Sequence, residues 1–196
     1  MQSDLFLAAA AGDVPALRRL VRAGRSVNLS VDEWDGGTPL HVASKRGQLP
    51  MVRALVEEFG ANPQLRDSLF ELPVHWAARG GSAEVVGYFL RSGHVSPSVR
   101  SRDWALLHIA AYSAQPAVVQ LLLAEGADPS DRGAEGRTPL HRACFSREGD
   151  AAKVARLLLE GGASPDEVDD VGGSPLMACA WSGNVSAARE GLAAGG

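Results

Sequence analysis

Thr38-Pro39-Leu40-His41 decides the reading of this chain, because the string returns. Leu72-Pro73-Val74-His75, Ala105-Leu106-Leu107-His108, Thr138-Pro139-Leu140-His141 and Ser174-Pro175-Leu176-Met177 repeat it with substitutions or intact. Their fourth positions, 41, 75, 108, 141 and 177, are 34, 33, 33 and 36 residues apart. A fixed period of this length marks stacked units, each too small to bury its own apolar face. Glycines 24, 60, 93, 126 and 162 keep the same phase, each closing a Leu/Val-rich stretch. Four of them lie 15 residues before the next fourth position, and the first gap is longer by two. One period back from His41 falls on Phe6, inside Leu5-Phe6-Leu7-Ala8-Ala9-Ala10. That apolar stretch therefore reads as a first, degenerate unit and not as a secretory signal, whose basic start Met1-Gln2-Ser3-Asp4 lacks.

Each unit reads as helix, turn, helix, extended loop. Thr38 and Thr138 suit an N-cap, and the proline after each suits the first helical position. The first helix is short and Ala-rich, as in His108-Ile109-Ala110-Ala111, which lets neighbouring helices approach closely. Gly47, Gly81 or Gly183 ends it. The second helix places apolar residues at helical spacing, as in Val85, Val86, Phe89 and Leu90, or Val154, Leu157, Leu158 and Leu159. Pro, Asp, Gly and Asn then predict a protruding turn.

These linked features resemble ankyrin repeats, including the Gly-Ala-Asn-Pro type of link at 60–63, 126–129 and 162–165. The resemblance covers residues 2 to 196 and implies an all-α solenoid of helix-turn-helix units with protruding β-hairpin loops. It implies one domain over 1–196, with six repeats at 2–33, 34–66, 67–99, 100–132, 133–168 and 169–196. The first and last are caps, with Arg19, Met177, Glu190 and Gly191 at places held elsewhere by leucine or histidine. Repeat five carries three extra residues near Arg147-Glu148-Gly149, and repeat four has Ala114 where a helix-ending glycine belongs. The resemblance also implies that His41, His75, His108 and His141 bond backbone groups and lock the hairpin to the helix. Members with leucine and asparagine placed like Leu20 and Asn28 can be substrates of an asparaginyl hydroxylase.

Composition narrows the function classes. The net charge is −4 with signs alternating along the chain, without the basic field that phosphate binding needs. No apolar run approaches the ~20 residues that span a bilayer. Two cysteines, Cys144 and Cys179, are no disulfide framework and read as buried small-residue packing in a reducing compartment, cytoplasmic or nuclear. His141 and Cys144 lie three apart on one helix, but zinc needs three or four convergent ligands. There is no P-loop, no GxGxxG after a strand and no GxSxG elbow. The expectation is a non-enzyme without cofactor or metal, a monomer that binds a protein or peptide and neither nucleic acid nor membrane.

The candidate contact residues are those that differ between repeats while projecting outward. Three successive hairpin tips carry large apolar groups: Trp34, Leu69-Phe70 and Trp104. Four residues after each histidine the row reads Lys45, Arg79, Tyr112, Phe145, Trp181, and Arg46 follows Lys45. One residue after it the row reads Val42, Trp76, Ile109, Arg142, Ala178. The concave groove is thus expected to be basic at Lys45, Arg46 and Arg79 and aromatic at Tyr112, Phe145 and Trp181. Trp34, Phe70, Trp76 and Trp104 complete the proposed surface. Three alternatives stand beside it. The tip aromatics could pack on adjacent hairpins. Tip tryptophans with Asp35 or Asp103 could cage a methylated lysine. The chain could also be the recruiting segment of a larger enzyme or ubiquitin-ligase receptor. The acidic run Asp166, Glu167, Asp169, Asp170 reads as a solvated loop or as a dock for a basic segment.

Overall fold

A computed structural model describes residues 3–146 and 150–194. The expected insertion at Arg147-Glu148-Gly149 lies outside the described residues. The chain divides into two compact units, 1–95 and 96–196.

The first unit holds three helical pairs. They are α1 (Ser3–Ala11) with α2 (Val14–Arg22), α3 (Pro39–Lys45) with α4 (Leu49–Arg53), and α5 (Pro73–Arg79) with α6 (Ala83–Arg91). The second unit holds α7 (Leu106–Tyr112) with α8 (Pro116–Ala124), α9 (Pro139–Phe145) with α10 (Ala151–Glu160), and α11 (Pro175–Ser182) with α12 (Val185–Ala194). A two-residue hairpin, β1 (Arg100–Ser101) against β2 (Trp104–Ala105), is the one strand pair among the described residues. Within each unit the first helix of a pair packs on the first helix of the next: α1 on α3, α3 on α5, α7 on α9, α9 on α11. The all-helical paired architecture read from the period is therefore present.

The repeated residues explain the stacking. Ala43, Ala77, Ala110 and Ala143 are fully buried on the first helices, where a larger side chain would hold neighbours apart. The second helices add Phe89, Leu122 and Leu158, and a π-helical turn (Ala54–Glu58) that continues α4 adds Leu55, all fully buried.

Two of the four histidines make the full lock that the resemblance implies. His41 Nδ1 accepts from the Thr38 N–H at 3.0 Å, so the ring proton sits on Nε2 and is donated to the Glu71 carbonyl, 3.1 Å away. His141 repeats this with Thr138 at 3.2 Å and the Gly173 carbonyl at 2.9 Å. His108 Nε2 donates to the Arg137 carbonyl at 3.0 Å. His41 and His141 thus tie a helix start to the hairpin of the next repeat, whereas His108 makes only the hairpin bond and His75 only the helix-start bond, accepting the Leu72 N–H at Nδ1, 3.0 Å away. Burial lowers all four histidines, His75 and His108 to about 4.

Two departures stand out. Gly47, Gly81 and Gly183 end their first helices with φ of 68°, 80° and 76°, and Ala114 is held in the same left-handed region at 48°. The cysteine expectation needs correction: Cys144 and Cys179 are joined in a disulfide. Both are buried, as read, but α9 and α11 approach so closely across their small residues that the two Cα atoms are 4.4 Å apart. With the pair oxidised, the argument for a reducing compartment from two free thiols no longer applies.

Candidate functional site

The structure sorts the expected contact residues by exposure, and the two units are taken in turn. In the first unit Trp76 is overturned as a contact residue, being 5% exposed. Its Nε1 donates to Asp67 Oδ2 at 2.7 Å, while Asp67 Oδ1 accepts the N–H groups of Leu69 and Glu71, both at 2.8 Å. Its ring meets His41 edge-on and packs with Phe6 and Val42. The large side chain that looked distinctive is a core group pinned by the hairpin. Trp34 is half-buried and stacks on Phe6, centroids 6.0 Å apart, which is the packing alternative and not an open tip.

Phe70 is different. It is 56% exposed beside the exposed Leu69, and its φ is +64°, a conformation costly for a bulky L-residue. Lys45 and Arg46 are exposed, with the Lys45 ammonium 5.4 Å from the Trp76 ring centroid. Arg79 is half-buried and bonded to Glu71, whose carboxyl is raised above its usual range mainly by burial. The expected basic patch therefore carries less uncompensated charge than its sequence suggests. Asn28, flagged for modification, is exposed, and its side-chain oxygen accepts the Asn62 N–H at 2.8 Å.

In the second unit Tyr112 and Phe145 end α7 and α9, and Trp181 is the last-but-one residue of α11. Tyr112 is 48% exposed and Trp181 is 82% exposed. Phe145 is half-buried, with Trp181 edge-on at 6.4 Å and the Arg137 guanidinium 4.9 Å from its ring centroid. Trp104 does not stand clear as a tip. It meets His108 edge-on at 5.4 Å and lies so close to Gly133 of the next hairpin that a Cβ there would come within 2.8 Å of the indole. Its face is covered by Arg142, 4.1 Å from the ring, and Tyr112 lies 4.4 Å from the same guanidinium. A methylated lysine would have to displace that resident cation to use these two rings. Sequence reading placed Arg142 in the groove row but passed over it. Its signal was there, as the one charged residue in a row of Val, Trp, Ile and Ala.

The acidic run is largely committed. Glu167 and Asp170 both pair with Arg132 at 3.2 Å. Asp169 accepts the Val171 and Gly173 N–H groups at 3.1 and 2.8 Å and faces Arg137. A cavity lies over the disulfide, lined by Leu140, Cys144, Leu176, Cys179, Gly191 and Leu192. Among the described residues no group of three or more His, Cys, Asp and Glu could hold a metal ion. No described helix is long and apolar enough to cross a membrane.

Comparison with known proteins agrees with this geometry. The family model described as ankyrin repeats (3 copies) matches residues 5–103, 59–133 and 107–191. The chain is 32% identical over 159 residues to the E3 ubiquitin-protein ligase KEG of Arabidopsis thaliana, covering 79% of this chain and 9% of that protein. It is 29% identical over 152 residues to human transient receptor potential cation channel subfamily A member 1, covering 76% of this chain and 13% of the channel. It thus spans about a tenth of the length of these curated relatives. The structure of the human ASB11 ankyrin repeat domain superposes with a TM-score of 0.82 at 28% identity, covering 98% of this chain and 83% of that one. Ankyrin repeats generally mediate protein–protein interaction. From the period in its sequence, the histidine-locked helical pairs and these matches, the chain belongs to the ankyrin-repeat family.

Proposed function

We propose that this chain is a non-catalytic recognition module, acting as an adaptor or scaffold, that binds a protein or peptide as a monomer. The observation that carries the proposal is the aromatic row Tyr112, Phe145 and Trp181, with Trp181 four-fifths open to water. Exposed aromatic surface gathered in one place marks an interaction site, and aromatic residues with arginine dominate binding energies at interfaces. In the first unit, where Lys45 and Arg46 are also exposed, the exposed Leu69-Phe70 tip offers a second contact surface. Its strained Phe70 φ supports that role, because a costly backbone state at an exposed position is kept where it serves binding. The relatives support recognition over catalysis. One is named as a ubiquitin ligase and another as a cation channel, so what they share with this chain is a repeat segment and not a reaction.

The test is affinity capture from the source cell with wild type beside Tyr112→Ala/Trp181→Ala. Loss of the bound protein in the double variant, with unchanged thermal stability, is the expected result. An undiminished capture removes the aromatic row as the binding face. The similarity to KEG favours a second reading, in which the chain recruits substrates for a larger ubiquitin-ligase enzyme. The captured set then contains proteins whose ubiquitination falls when this chain is deleted.

A further inference from the structure

Arg142 is unlike the other cations around it. Arg100 pairs with Asp131, Arg132 with Glu167 and Asp170, Arg137 with Glu135 and Asp169, and Arg156 with Glu190. Among the described residues Arg142 forms no salt bridge; its Nε, like that of Arg137, is buried without a hydrogen-bond acceptor, so an incoming partner would meet its terminal nitrogens. Arginine does not escape such a position by losing its proton. Burial pushes its guanidinium below the ordinary range and Arg137 pushes the same way, against the opposing pull of Tyr112 and of the Glu135 carboxylate. A half-buried charge in this setting attracts a counter-charge more strongly than one in open water.

The site is also built. Trp104 and Tyr112 lie 4.1 and 4.4 Å from the guanidinium, and Gly133 leaves the room that Trp104 occupies. A guanidinium held against aromatic rings can still offer its terminal N–H groups to a carboxylate through two parallel N–H···O contacts.

We propose that Arg142 receives a glutamate or aspartate side chain of the bound segment, beside Trp104 and Tyr112, with an apolar residue of that segment on Phe145 and Trp181. The proposal rests on the recognition reading above and names the partner's chemistry: a short acidic-apolar stretch. A carboxylate fits better than a phosphate dianion because Arg137, the next cation, is already held by Glu135 and Asp169. The spacing follows from the geometry. Arg142 and Phe145 are one helical turn apart on α9, and the Phe145 and Trp181 ring centroids are 6.4 Å apart. An extended segment advancing about 3.3 Å per residue covers that span in roughly three residues.

The test uses random peptides displayed on phage and selected on the full chain. Enriched peptides are expected to carry Glu or Asp within about three positions of an aromatic or aliphatic residue. A selected peptide is then made with its acid as the amide (Glu→Gln or Asp→Asn) and measured against wild type and Arg142→Gln. Each single change should weaken binding about tenfold or more, and the two together no more than either alone. The peptide change cannot unfold the protein, and Arg142→Lys, which keeps the charge but not the paired N–H groups, should also lose most of the affinity. Enriched peptides without acids, or losses that multiply in the double change, overturn the carboxylate site. If those peptides still need Tyr112 and Trp181, the recognition reading survives alone. Failure to enrich any peptide overturns both.

Discussion

Gly191→Leu tests whether the last repeat is as loosely packed as it looks. Gly191 sits in α12 where the earlier repeats place Leu55, Phe89, Leu122 and Leu158, all of them fully buried. Its missing side chain opens the cavity over the Cys144–Cys179 bond, and a Cβ built there meets no atom within 4 Å. Two effects favour leucine. Removing a glycine from a helix interior is worth about 0.8 kcal/mol. Full burial of a leucine is worth about 2 kcal/mol, and this cavity is open to solvent on one side, so about half applies. The sum is roughly 2 kcal/mol, or about 4–8 °C in Tm for a chain of this size. Urea unfolding gives the free energy, and hydrogen exchange in α11 and α12 shows whether the gain is local, as expected for a terminal repeat that opens before the rest. Gly191→Ala is the control, since it supplies the helix term alone. Equal stability of the alanine and leucine variants would refute the cavity argument, and a loss in both would refute the placement of Gly191.

Three further outcomes follow. His75 and His108 sit at about 4 in the folded chain against 6.5 when unfolded, so the unfolded state protonates first. Their stability is fully present above pH 6.5 and is lost as pH falls toward 4, roughly 3 kcal/mol each at the limit. Urea titrations from pH 7.5 to 4.5 should show this slope, and imidazole resonances titrating near 6.5 in the folded protein would contradict it. Ala114→Gly relieves a left-handed alanine and should raise the unfolding free energy by about 1 kcal/mol in the same assay. Reduction of the Cys144–Cys179 bond, which closes a loop between residues 35 apart, should cost about 2–4 kcal/mol, read as the difference between urea curves with and without reductant. The Cys144→Ala/Cys179→Ala variant should be insensitive to reductant.

The fold was legible because its determinants recur. A position that is alanine or histidine in several successive units has a role that any one copy exposes. The recurring histidine marked the family, the resemblance implied the lock, and His41 with Thr38 and His141 with Thr138 form it in the same way. The disulfide was not legible for the opposite reason. Cys144 and Cys179 occupy neighbouring but different positions in their repeats, and only the close approach of α9 and α11 brings them together. Sequence spacing carries no information on which face of one helix meets which face of the next.

The candidate site shows the same division more sharply. Four large aromatic groups at variable positions looked alike in sequence, yet their fates depend on what lies one repeat away. Trp76 is buried because Asp67, in the hairpin before it, accepts its indole N–H. Trp34 is half-covered because the first repeat supplies Phe6. Trp104 is capped because the next repeat supplies both a glycine at 133 and an arginine at 142. Trp181 stays open, its ring meeting that of Phe145, at the end of α9 in the repeat before, at a steep angle. A residue that breaks the repeat is thus a contact candidate only when its neighbours break the repeat without reaching back to it. Arg142 satisfies the converse condition: it reaches back to two rings and, among the described residues, lacks the salt bridge that holds Arg132 and Arg137.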